Sequence, residues 1–242
     1  MAETHAHTIH SDGMVPPREL VRAAARIGVG VLCITDHDTM AGVPEAVEAG
    51  REFGVEVVAG EEVTTAGPAK VHVLGLFIDR PVRMGMPVMD TIAAIRDRGG
   101  VAVLAHPFMP TFFASMTPAA LRRLILRERL DGIELRHTCP TTRGRIAALD
   151  AFYAAHGESL GAALGASDSH FGAHDLGRVV TAFPGQGAAD LRRAIAGRQT
   201  RPLAPFRIPA GPPAAMRLRQ QARSLGWLSW QRLRGRVGRA EA

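Results

Sequence analysis

Residues 5–13 of the chain read His5-Ala6-His7-Thr8-Ile9-His10-Ser11-Asp12-Gly13. In an extended strand alternate side chains share one face, so the imidazoles of His5 and His7 would lie about 6.5 Å apart. Two imidazoles at that spacing can chelate one metal ion, and Asp12 adds a carboxylate from the turn that follows. A polar N-terminal segment that merely contains histidines is the alternative, and the rest of the chain has to decide between the two.

Strand and helix patterns alternate along the remainder of the sequence. Apolar runs such as 29–35 and 101–105 are typical of parallel strands that are covered on both faces. Helical patterns that begin with proline or end before glycine separate these runs. Serial strand–helix units predict an α/β protein with a parallel sheet.

Ionisable residues fall where the predicted strands end. In a closed (β/α) barrel the carboxyl ends of the strands meet on one face, and that face carries the chemistry. An open doubly wound sheet would spread the same residues along a line, and no glycine-rich phosphate loop follows a strand here. The barrel is therefore favoured, with these residues on one rim: His37, Glu62, His106, Arg136, Asp168 and His170 after strands, and His72 within one.

Six histidines and three carboxylates share this predicted rim: His5, His7, Asp12, His37, Glu62, His72, His106, Asp168 and His170. So many imidazoles and carboxylates cannot be buried together without partners, and metal ions meet that need. The mixture of ligand types suits Mn, Zn or Fe better than Mg or Ca alone. Because nine ligands are too many for one ion, the sequence predicts two or three divalent ions.

The two cysteines and the absence of apolar segments bear on the compartment. Cys33 and Cys139 are far apart and fit no metal or disulfide spacing, which is typical of small buried residues in a reduced cytosol. No signal peptide and no apolar run of membrane-spanning length is found. We expect a cytoplasmic protein without a transmembrane segment, and the sequence leaves its oligomeric state open.

The net charge of +6 is concentrated near the C-terminus. Residues 201–242 hold nine of the 29 basic residues but one of the 23 acidic residues, so this end carries +8 and residues 1–200 carry −2. We predict a barrel over 1–205 and a basic, Pro- and Arg-rich linker with a helix over 206–242, the helix near 216–234. Three roles stay open for the helix: docking on the barrel's flank, binding nucleic acid, or contacting an anionic membrane surface.

Six motifs, in this order, resemble those of the PHP (polymerase and histidinol phosphatase) family. They are His5-x-His7 with Ser11-Asp12-Gly13, Ile34-Thr35-Asp36-His37-Asp38, Gly60-x-Glu62, His72-x-Leu74-Gly75, Ala105-His106-Pro107 and Ser167-Asp168-x-His170. The resemblance covers about residues 5–183. It is strongest to the branch that contains nucleoside 3′,5′-bisphosphate phosphatases and 5′–3′ oligonucleotide exonucleases.

The resemblance implies a distorted seven-stranded (β/α) barrel with a trinuclear metal site. One ion would be held by His5, His7 and Asp168, and a second by His72 and His106, with Glu62 bridging these two. The third ion would be held by Asp12, His37 and His170. The family pattern favours Glu62 over Glu61 as the ligand, and Asp36 and Asp38 could orient the histidine between them.

The implied activity is metal-dependent hydrolysis of a phosphomonoester (a nucleotide, a nucleoside bisphosphate or another small phosphate) or of short oligonucleotide ends. A hydroxide held between two ions would attack phosphorus directly, and Asp12 or His170 would serve the leaving oxygen. Cationic side chains on the rim could bind the substrate phosphate, although arginines are also common surface residues in this chain. The candidates are Arg136, His137, Arg143 and Arg178.

Two other function classes remain open. An amidohydrolase-type barrel also begins with His-x-His but commonly uses a carboxylated lysine as a bridge, for which Lys70 is the sole candidate. A non-catalytic, nucleic-acid-associated PHP module would be expected to lack several ligands, and all nine are present. The chain also departs from its relatives, because few residues precede His5 and no helical cap domain fits between His72 and His106.

Overall fold

The computed structural model describes residues 1–110, 114–204 and 211–240, with side chains for all of these except 228 and 231–240. The described strands are β1 (Ala2–Glu3), β2 (Val31–Ile34), β3 (Glu56–Thr64), β4 (His72–Leu76), β5 (Val101–Leu104), β6 (Gly132–His137), β7 (Ala162–Ala166), β8 (Val180–Ala182) and β9 (Arg201–Leu203). The helices are α1 (Pro17–Arg26), α2 (Val43–Phe53), α3 (Val88–Arg96), α4 (Pro118–Ile125), α5 (Arg143–Leu160), α6 (Ala188–Ala196) and α7 (Ala214–Ala240).

All nine strands form one sheet in the order β7-β6-β5-β4-β3-β2-β1-β8-β9. Strands β1, β2 and β3 are parallel to one another, as are β5, β6 and β7. Strand β4 runs antiparallel to both of its neighbours, β3 and β5. The parallel sheet expected from the sequence is therefore interrupted at β4, whose connection to β3 is too short to hold a crossover helix. Strands β8 and β9 also pair in antiparallel fashion, β8 with β1 and β9 with β8.

Strands β1 to β7 are consecutive neighbours in the sheet, and β1 and β7 lie at the two ends of this seven-stranded part. The segments that follow β1 and β7 hydrogen-bond to each other and so bring these two strands together. The backbone N–H of His7 donates to the carbonyl of Ser169 at 2.8 Å, and the N–H of Ser169 donates to the carbonyl of His5 at 3.2 Å. Strand β8 pairs with the other edge of β1, and β9 pairs with β8. The sheet is thus a nearly closed barrel, which confirms the predicted distorted α/β barrel.

Both faces of the barrel strands are buried, which explains their near-continuous apolar sequences. In β2, Val31 and Cys33 pack inside the barrel with Leu74 and Leu164. The alternate residues of β2, Leu32 and Ile34, pack outside in a cluster that α1 and α2 cover. Each fully buried aliphatic side chain of this kind contributes roughly 1.5–3 kcal/mol to folding, so the barrel is a rigid support for the residues at its rim.

Local sequence signals set the ends of several helices. Pro17 occupies the first position of α1, and Gly54 ends α2 in a left-handed conformation with φ of +73°. The side chain of Thr142 accepts a hydrogen bond from the backbone N–H of Arg145 and caps α5. That cap fixes the start of the helix that follows the rim end of β6.

The first strand is short but firmly held. Glu3 is fully buried, and its carboxylate accepts hydrogen bonds from the backbone N–H groups of Ser167 at 2.9 Å and Gly177 at 3.2 Å. These bonds join the segment before His5 to the segments around β7. The few residues that precede the His-x-His motif are therefore enough to fix it.

Helix α7 begins before and ends after the predicted helix over 216–234. The predicted boundary between barrel and tail, at 205 and 206, lies outside the described residues, so the division into two parts stays a prediction. Among the described helices, none is both long and apolar enough to cross a membrane. Cys33 is buried and Cys139 is partly buried, and both are free thiols.

Candidate metal centre

The strand ends deliver the nine predicted ligands to one rim. His5 and His7 directly follow β1, which ends earlier than the extended strand expected from the sequence, yet their Nε2 atoms lie 3.0 Å apart. His37 follows β2 and forms a parallel bridge with Glu62 near the end of β3. Asp168 and His170 follow β7 in the same way. The convergence of these side chains is the one that a barrel predicts.

His72 reaches the same rim for a different reason. It is the first residue of β4, and it pairs with Thr64 at the last position of β3. Because β4 runs antiparallel to its neighbours, the beginning of this strand lies at the rim where the other strands end. The sequence interpretation placed His72 inside a strand, and the reversal of β4 explains how such a residue takes part in the site.

The carboxylate of Glu62 lies at the middle of the cluster and is almost fully buried. Its Oε2 atom is 3.2 Å from Nε2 of His5 and 3.2 Å from Nε2 of His7. Its Oε1 atom is 2.7 Å from Nδ1 of His72 and 3.0 Å from Nε2 of His106. Both carboxylate oxygens therefore face imidazoles, and the bridging role that the resemblance implies for Glu62 stays a prediction.

The other two carboxylates lie on either side of this centre. Oδ1 of Asp168 is 3.3 Å from Nε2 of His5 and 3.1 Å from Nε2 of His7. Oδ1 of Asp12 is 3.1 Å from Nε2 of His170. All nine predicted ligands therefore lie in one cluster.

Four overlapping groups of these residues place their ligand atoms close enough together to hold a cation. They are His7, Asp12, His37 and His170; His5, His106 and Asp168; His5, His7 and Glu62; and His37, Glu62 and His72. The first group contains the three residues that the resemblance assigns to the third ion. The assignment of individual ligands to individual ions stays a prediction.

The hydrogen bonds behind the imidazoles show that the cluster fits divalent cations. Glu134 is fully buried, and its Oε1 atom lies 2.8 Å from Nδ1 of His5, so that nitrogen donates and the lone pair on Nε2 faces the centre. Nδ1 of His170 likewise donates to the carbonyl of Asp168 at 2.9 Å. Lone pairs that face carboxylate oxygens repel them unless a cation lies between.

Two buried carboxylate oxygens point to the same conclusion. Oδ1 of Asp12 and Oε2 of Glu62 are buried and face imidazole nitrogens, Nε2 of His170 at 3.1 Å and Nδ1 of His37 at 2.9 Å respectively. A buried acceptor of this kind is costly unless it is paired or coordinates a metal ion. The donor set of imidazoles and carboxylates fits Mn, Zn or Fe.

The electrostatics of the metal-free cluster favour positive charge at its centre. Burial lowers the pKa of His37 and of His170, but nearby carboxylates, foremost Glu62 and Asp12 respectively, outweigh burial and raise these pKa values to about 9 and about 10. Burial would raise the pKa of Asp12, and the facing histidines, His170 first, instead hold it below its usual range. Protons in the metal-free chain thus occupy the place of cations.

Several supporting residues were not predicted as functional from the sequence. Besides binding His5, Glu134 accepts the backbone N–H of His106 at 2.6 Å through its second oxygen. Asp175 binds Ser169 and the backbone N–H of His170. The signal for Glu134 was available, because an acidic residue between Ile133 and Leu135 in an apolar strand requires a buried partner.

Asp36, which was expected to orient the neighbouring histidine, instead holds the turn after His7. Its carboxylate accepts hydrogen bonds from the N–H and hydroxyl of Thr8, both at 2.7 Å, and from the hydroxyl of Ser11 at 2.6 Å. Glu61 lies outside the metal groups: its Oε2 atom accepts the backbone N–H of Val82, and burial raises its pKa to about 8. Glu62 is accordingly the acid that faces the histidines.

Cys139 has a role that its sequence position did not suggest. Its Sγ atom lies 3.1 Å from Oδ2 of Asp168, and burial holds the pKa of the thiol well above its usual value. The protonated thiol therefore donates to a predicted metal ligand.

The structure separates the four predicted phosphate-binding residues. The guanidinium of Arg136 forms a bidentate ion pair with Asp150 of α5, at 2.7 and 2.8 Å. His137 lies beside His106, with ring centroids 6.3 Å apart. Arg143 is exposed at the start of α5, and Arg178 donates to the carbonyl of His174 at 3.1 Å. The phosphate-binding role of all four stays a prediction.

The described side chains of helix α7 include three that contact the rim of the metal centre. The hydroxyl of Ser224 donates to Oδ2 of Asp12 at 2.5 Å, and Nε2 of Gln220 donates to the same oxygen at 3.3 Å. Nη2 of Arg223 donates to the carbonyl oxygens of Ile9 and Ser11, at 2.7 and 2.9 Å. No periodicity in the sequence linked this helix to the turn at Asp12.

The sequence matches the family model described as "PHP domain" over residues 3–176. It is 34% identical over 146 residues to an uncharacterised protein of Methanocaldococcus jannaschii, and the aligned region covers 55% of this chain and 80% of that protein. It is also 35% identical over 102 residues to a protein of Haemophilus influenzae named 5′-3′ exoribonuclease, covering 42% of this chain but 37% of that protein. The chain thus spans well under half of the exoribonuclease that it matches.

Among solved structures, the fold is similar to that of a two-domain protein from Bacteroides vulgatus. That protein is described as containing a predicted PHP-like metal-dependent phosphoesterase. The TM-score is 0.69 at 20% sequence identity, covering 84% of this chain and 64% of that one. At this identity the similarity establishes the fold.

Proposed function

The chain belongs to the PHP domain family of metal-dependent phosphoesterases, and from that premise we propose that it hydrolyses small phosphomonoesters, such as nucleotides or nucleoside bisphosphates, or the ends of short oligonucleotides. The single observation that carries the proposal is the burial of Glu62 among histidines, with Oε2 lying 2.9 Å from Nδ1 of His37 and 3.2 Å from Nε2 of both His5 and His7. Such a centre requires cations, and paired cations suit phosphoryl chemistry.

The residues divide into a closed base and an accessible mouth. The side chains of His5, His7 and Glu62 are at most 1% exposed, so they can hold ions but cannot contact a substrate. His37, His72, His170 and Asp168 are 12–16% exposed. A phosphate group would approach from this side, where these four residues face solvent.

Bound divalent ions would supply Lewis acidity and lower the pKa of a water held between them. The protein's own residues fix the positions in which this chemistry takes place. Glu134 orients His5, Asp36 orients the turn that carries Asp12, and Asp175 fixes the backbone at His170. Geometry held to within about 0.5 Å is what such a reaction needs from its scaffold.

Asp12 and His170 are the residues that we propose to serve the leaving oxygen. Their facing atoms, Oδ1 and Nε2, are 3.1 Å apart, and His170 is 15% exposed at the mouth. His137 and Arg143 are the proposed phosphate contacts nearest to the rim end of β6. Arg178 lies at the entry to α7, 3.7 Å from where a Cβ atom at Gly211 would be.

The substrate class follows from what surrounds the mouth. Strands β4 and β5 are joined by a segment that contains only α3, so no cap domain is inserted between these two strands. An uncapped mouth would admit the end of a chain as well as a free nucleotide. The name of the Haemophilus influenzae relative supports an oligonucleotide end as one substrate.

The test is a metal-dependent hydrolysis screen on purified, metal-stripped protein reloaded with Mn, Zn or Fe. The panel contains 3′,5′-bisphosphates, histidinol phosphate and short RNA with a 5′-phosphate or a 5′-hydroxyl. We expect phosphate or nucleotide release that chelator abolishes. Hydrolysis of an amide with no hydrolysis of any phosphoester would overturn the proposal.

Site variants link any activity to this centre. His5→Ala and Asp168→Ala are expected to lose more than about 10²-fold in kcat/KM, since each removes a proposed ligand. The matched control is His156→Ala, because the half-buried imidazole of His156 lies outside the cluster and contacts Arg122 and Phe152. Full activity in Asp168→Ala would rule out the site.

A further inference from the structure

The two carboxylate oxygens of Asp12 face different partners. Oδ1 points into the metal centre, 3.1 Å from Nε2 of His170. Oδ2 points to α7 and accepts from the hydroxyl of Ser224 at 2.5 Å and from the amide of Gln220 at 3.3 Å. One oxygen is therefore left for a cation, while the helix holds the other.

The three donors of α7 form one connected set. Gln220 and Ser224 are four positions apart and share a helix face, and Nε2 of Gln220 also donates to Oγ of Ser224 at 2.8 Å. The hydroxyl proton of Ser224 is thereby directed to Asp12. Arg223 anchors this face to the turn by donating to the carbonyls of Ile9 and Ser11.

We propose that α7 is a wall of the metal centre and that Ser224 and Gln220 are positioning residues that fix Asp12 for metal binding. The inference deepens the proposed function and rests on it. A carboxylate that is hydrogen-bonded through its outer oxygen loses rotational freedom, and its inner oxygen then meets the cation in one orientation. Outer partners of metal ligands typically contribute 10–100-fold to metal affinity or activity.

The exposure of the ligands shows that α7 lines the mouth without closing it. Asp12, beneath the helix, has a side chain that is 5% exposed. His37, His72, His170 and Asp168 remain 12–16% exposed with the helix in place. The helix therefore covers one side of the centre and leaves the approach to the other ligands open.

The decisive experiment is a Mn²⁺ titration of metal-stripped, full-length protein by calorimetry. The variants are Ser224→Ala and the double variant Gln220→Ala with Ser224→Ala. The matched control is Ser229→Ala on the same helix, because its hydroxyl donates to the carbonyl of Leu225 within α7. Ser224→Thr keeps the hydroxyl and serves as the rescue.

We expect one class of Mn²⁺ site to weaken about tenfold in Ser224→Ala and further in the double variant. The other sites, and both Ser229→Ala and Ser224→Thr, should bind as the unmodified protein does. Circular dichroism melting in chelator should show all variants folded to the same extent. Isotherms of the double variant that match those of Ser229→Ala would overturn the inference.

Kinetics provide a second measurement, in which a purely structural role of Ser224 would give a different result from positioning of a metal ligand. At limiting Mn²⁺ the kcat of Ser224→Ala should fall about tenfold with little change in KM, and excess Mn²⁺ should restore it. A loss of kcat that excess Mn²⁺ leaves unchanged would contradict positioning through a metal ligand.

The titration also separates this inference from the proposed function. It needs no substrate, so selective weakening in Ser224→Ala supports the positioning role even if no phosphoester is hydrolysed, in which case the proposed function alone fails. Metal-dependent hydrolysis combined with unchanged titrations would uphold the proposed function and overturn the role of α7.

Discussion

At the scale of single residues, the buried acid Glu134 supports two predicted ligands of the metal centre at once. Its two carboxylate oxygens accept from two different donors, Nδ1 of His5 and the backbone N–H of His106. Both donors belong to predicted ligands of the metal centre. A single side chain thus sets the tautomer of one ligand and the backbone position of another.

Glu134→Gln should therefore weaken metal binding while leaving the fold intact. An amide has one acceptor oxygen and cannot accept from both donors, so one of the two hydrogen bonds is lost. We expect about a 10–100-fold weaker Mn²⁺ affinity by calorimetric titration. Glu158→Gln, at an exposed position of α5, is the control, and equal affinities for the two variants would contradict the role of Glu134.

Gly13 shows why the turn after the His-x-His motif has its particular sequence. A Cβ atom at this position would lie 2.5 Å from the backbone carbon and oxygen of His7. Such an approach is closer than van der Waals contact allows, and a backbone neighbour cannot move aside as a flexible side chain can. Only glycine lets the turn return to Asp12 so close to His7.

Gly13→Ala is expected to displace the turn and with it the carboxylate of Asp12. The variant should lower the melting temperature and weaken the same class of Mn²⁺ site as Ser224→Ala, measured by thermal denaturation and titration. Gly226→Ala is the control, because a Cβ atom there meets nothing within 4 Å and alanine favours a helix by up to about 1 kcal/mol over glycine. A Gly13→Ala protein as stable as Gly226→Ala would show that the turn tolerates a side chain.

At the scale of elements, the sequence predicted most strands and helices but not the direction of β4. Periodicity and apolar runs indicate that a strand exists, and the order of motifs indicates which residues lie at strand ends. Direction depends on the length of the connection and on pairing across the sheet, which no local pattern of His72–Leu76 contains. The nine clustered residues were nonetheless singled out from the sequence, because their chemistry is carried by residue type and motif; their role as metal ligands stays a prediction.

The contact of α7 with the turn at Asp12 could not be predicted from the sequence for a related reason. Its contacts join Gln220, Arg223 and Ser224 to a turn more than 200 positions earlier in the chain. The donors are ordinary polar residues on an Arg-rich helix, and their only distinguishing feature is what they contact. The ion pair of Arg136 with Asp150 was likewise not predicted, since the two residues lie on different elements.

Removal of the Arg223 anchor should loosen α7 and the turn together. In Arg223→Ala the carbonyls of Ile9 and Ser11 lose their donor, at a cost that we place at about 1 kcal/mol or less because the side chain is exposed. Hydrogen–deuterium exchange should rise both in the turn at residues 8–13 and in α7. Arg219→Ala, another exposed position of the helix, is the control, and equal exchange in the two variants would argue against the anchor.

At the scale of the whole molecule, the barrel collects buried ionisable groups that the metal-free chain neutralises with protons. Besides the histidines, burial raises the pKa of Glu3 to about 7 and that of Glu61 to about 8. The motifs predicted the ligands among these groups. The burial of Glu3 and Glu61 depends on how β1 and β3 pack in the closed barrel, which the sequence alone does not specify.

The protons bound by His37 and His170 determine how the stability of the metal-free chain depends on pH. His37 and His170 have folded pKa values of about 9 and about 10, above the ordinary 6.5. Between pH 7 and pH 9 the folded chain therefore holds protons that the unfolded chain has released, so stability falls as pH rises. The slope is on the order of 1 kcal/mol per pH unit for each such proton.

Urea unfolding in chelator should accordingly give a lower free energy of unfolding at pH 9 than at pH 7. Saturating Mn²⁺ should reduce this slope, because cations then occupy the positions that the protons held and metal binding itself favours high pH. His156→Ala should keep the slope of the unmodified chain, whereas His170→Ala should lower it. A metal-free stability that is constant or increases from pH 7 to pH 9 would contradict a centre that requires positive charge.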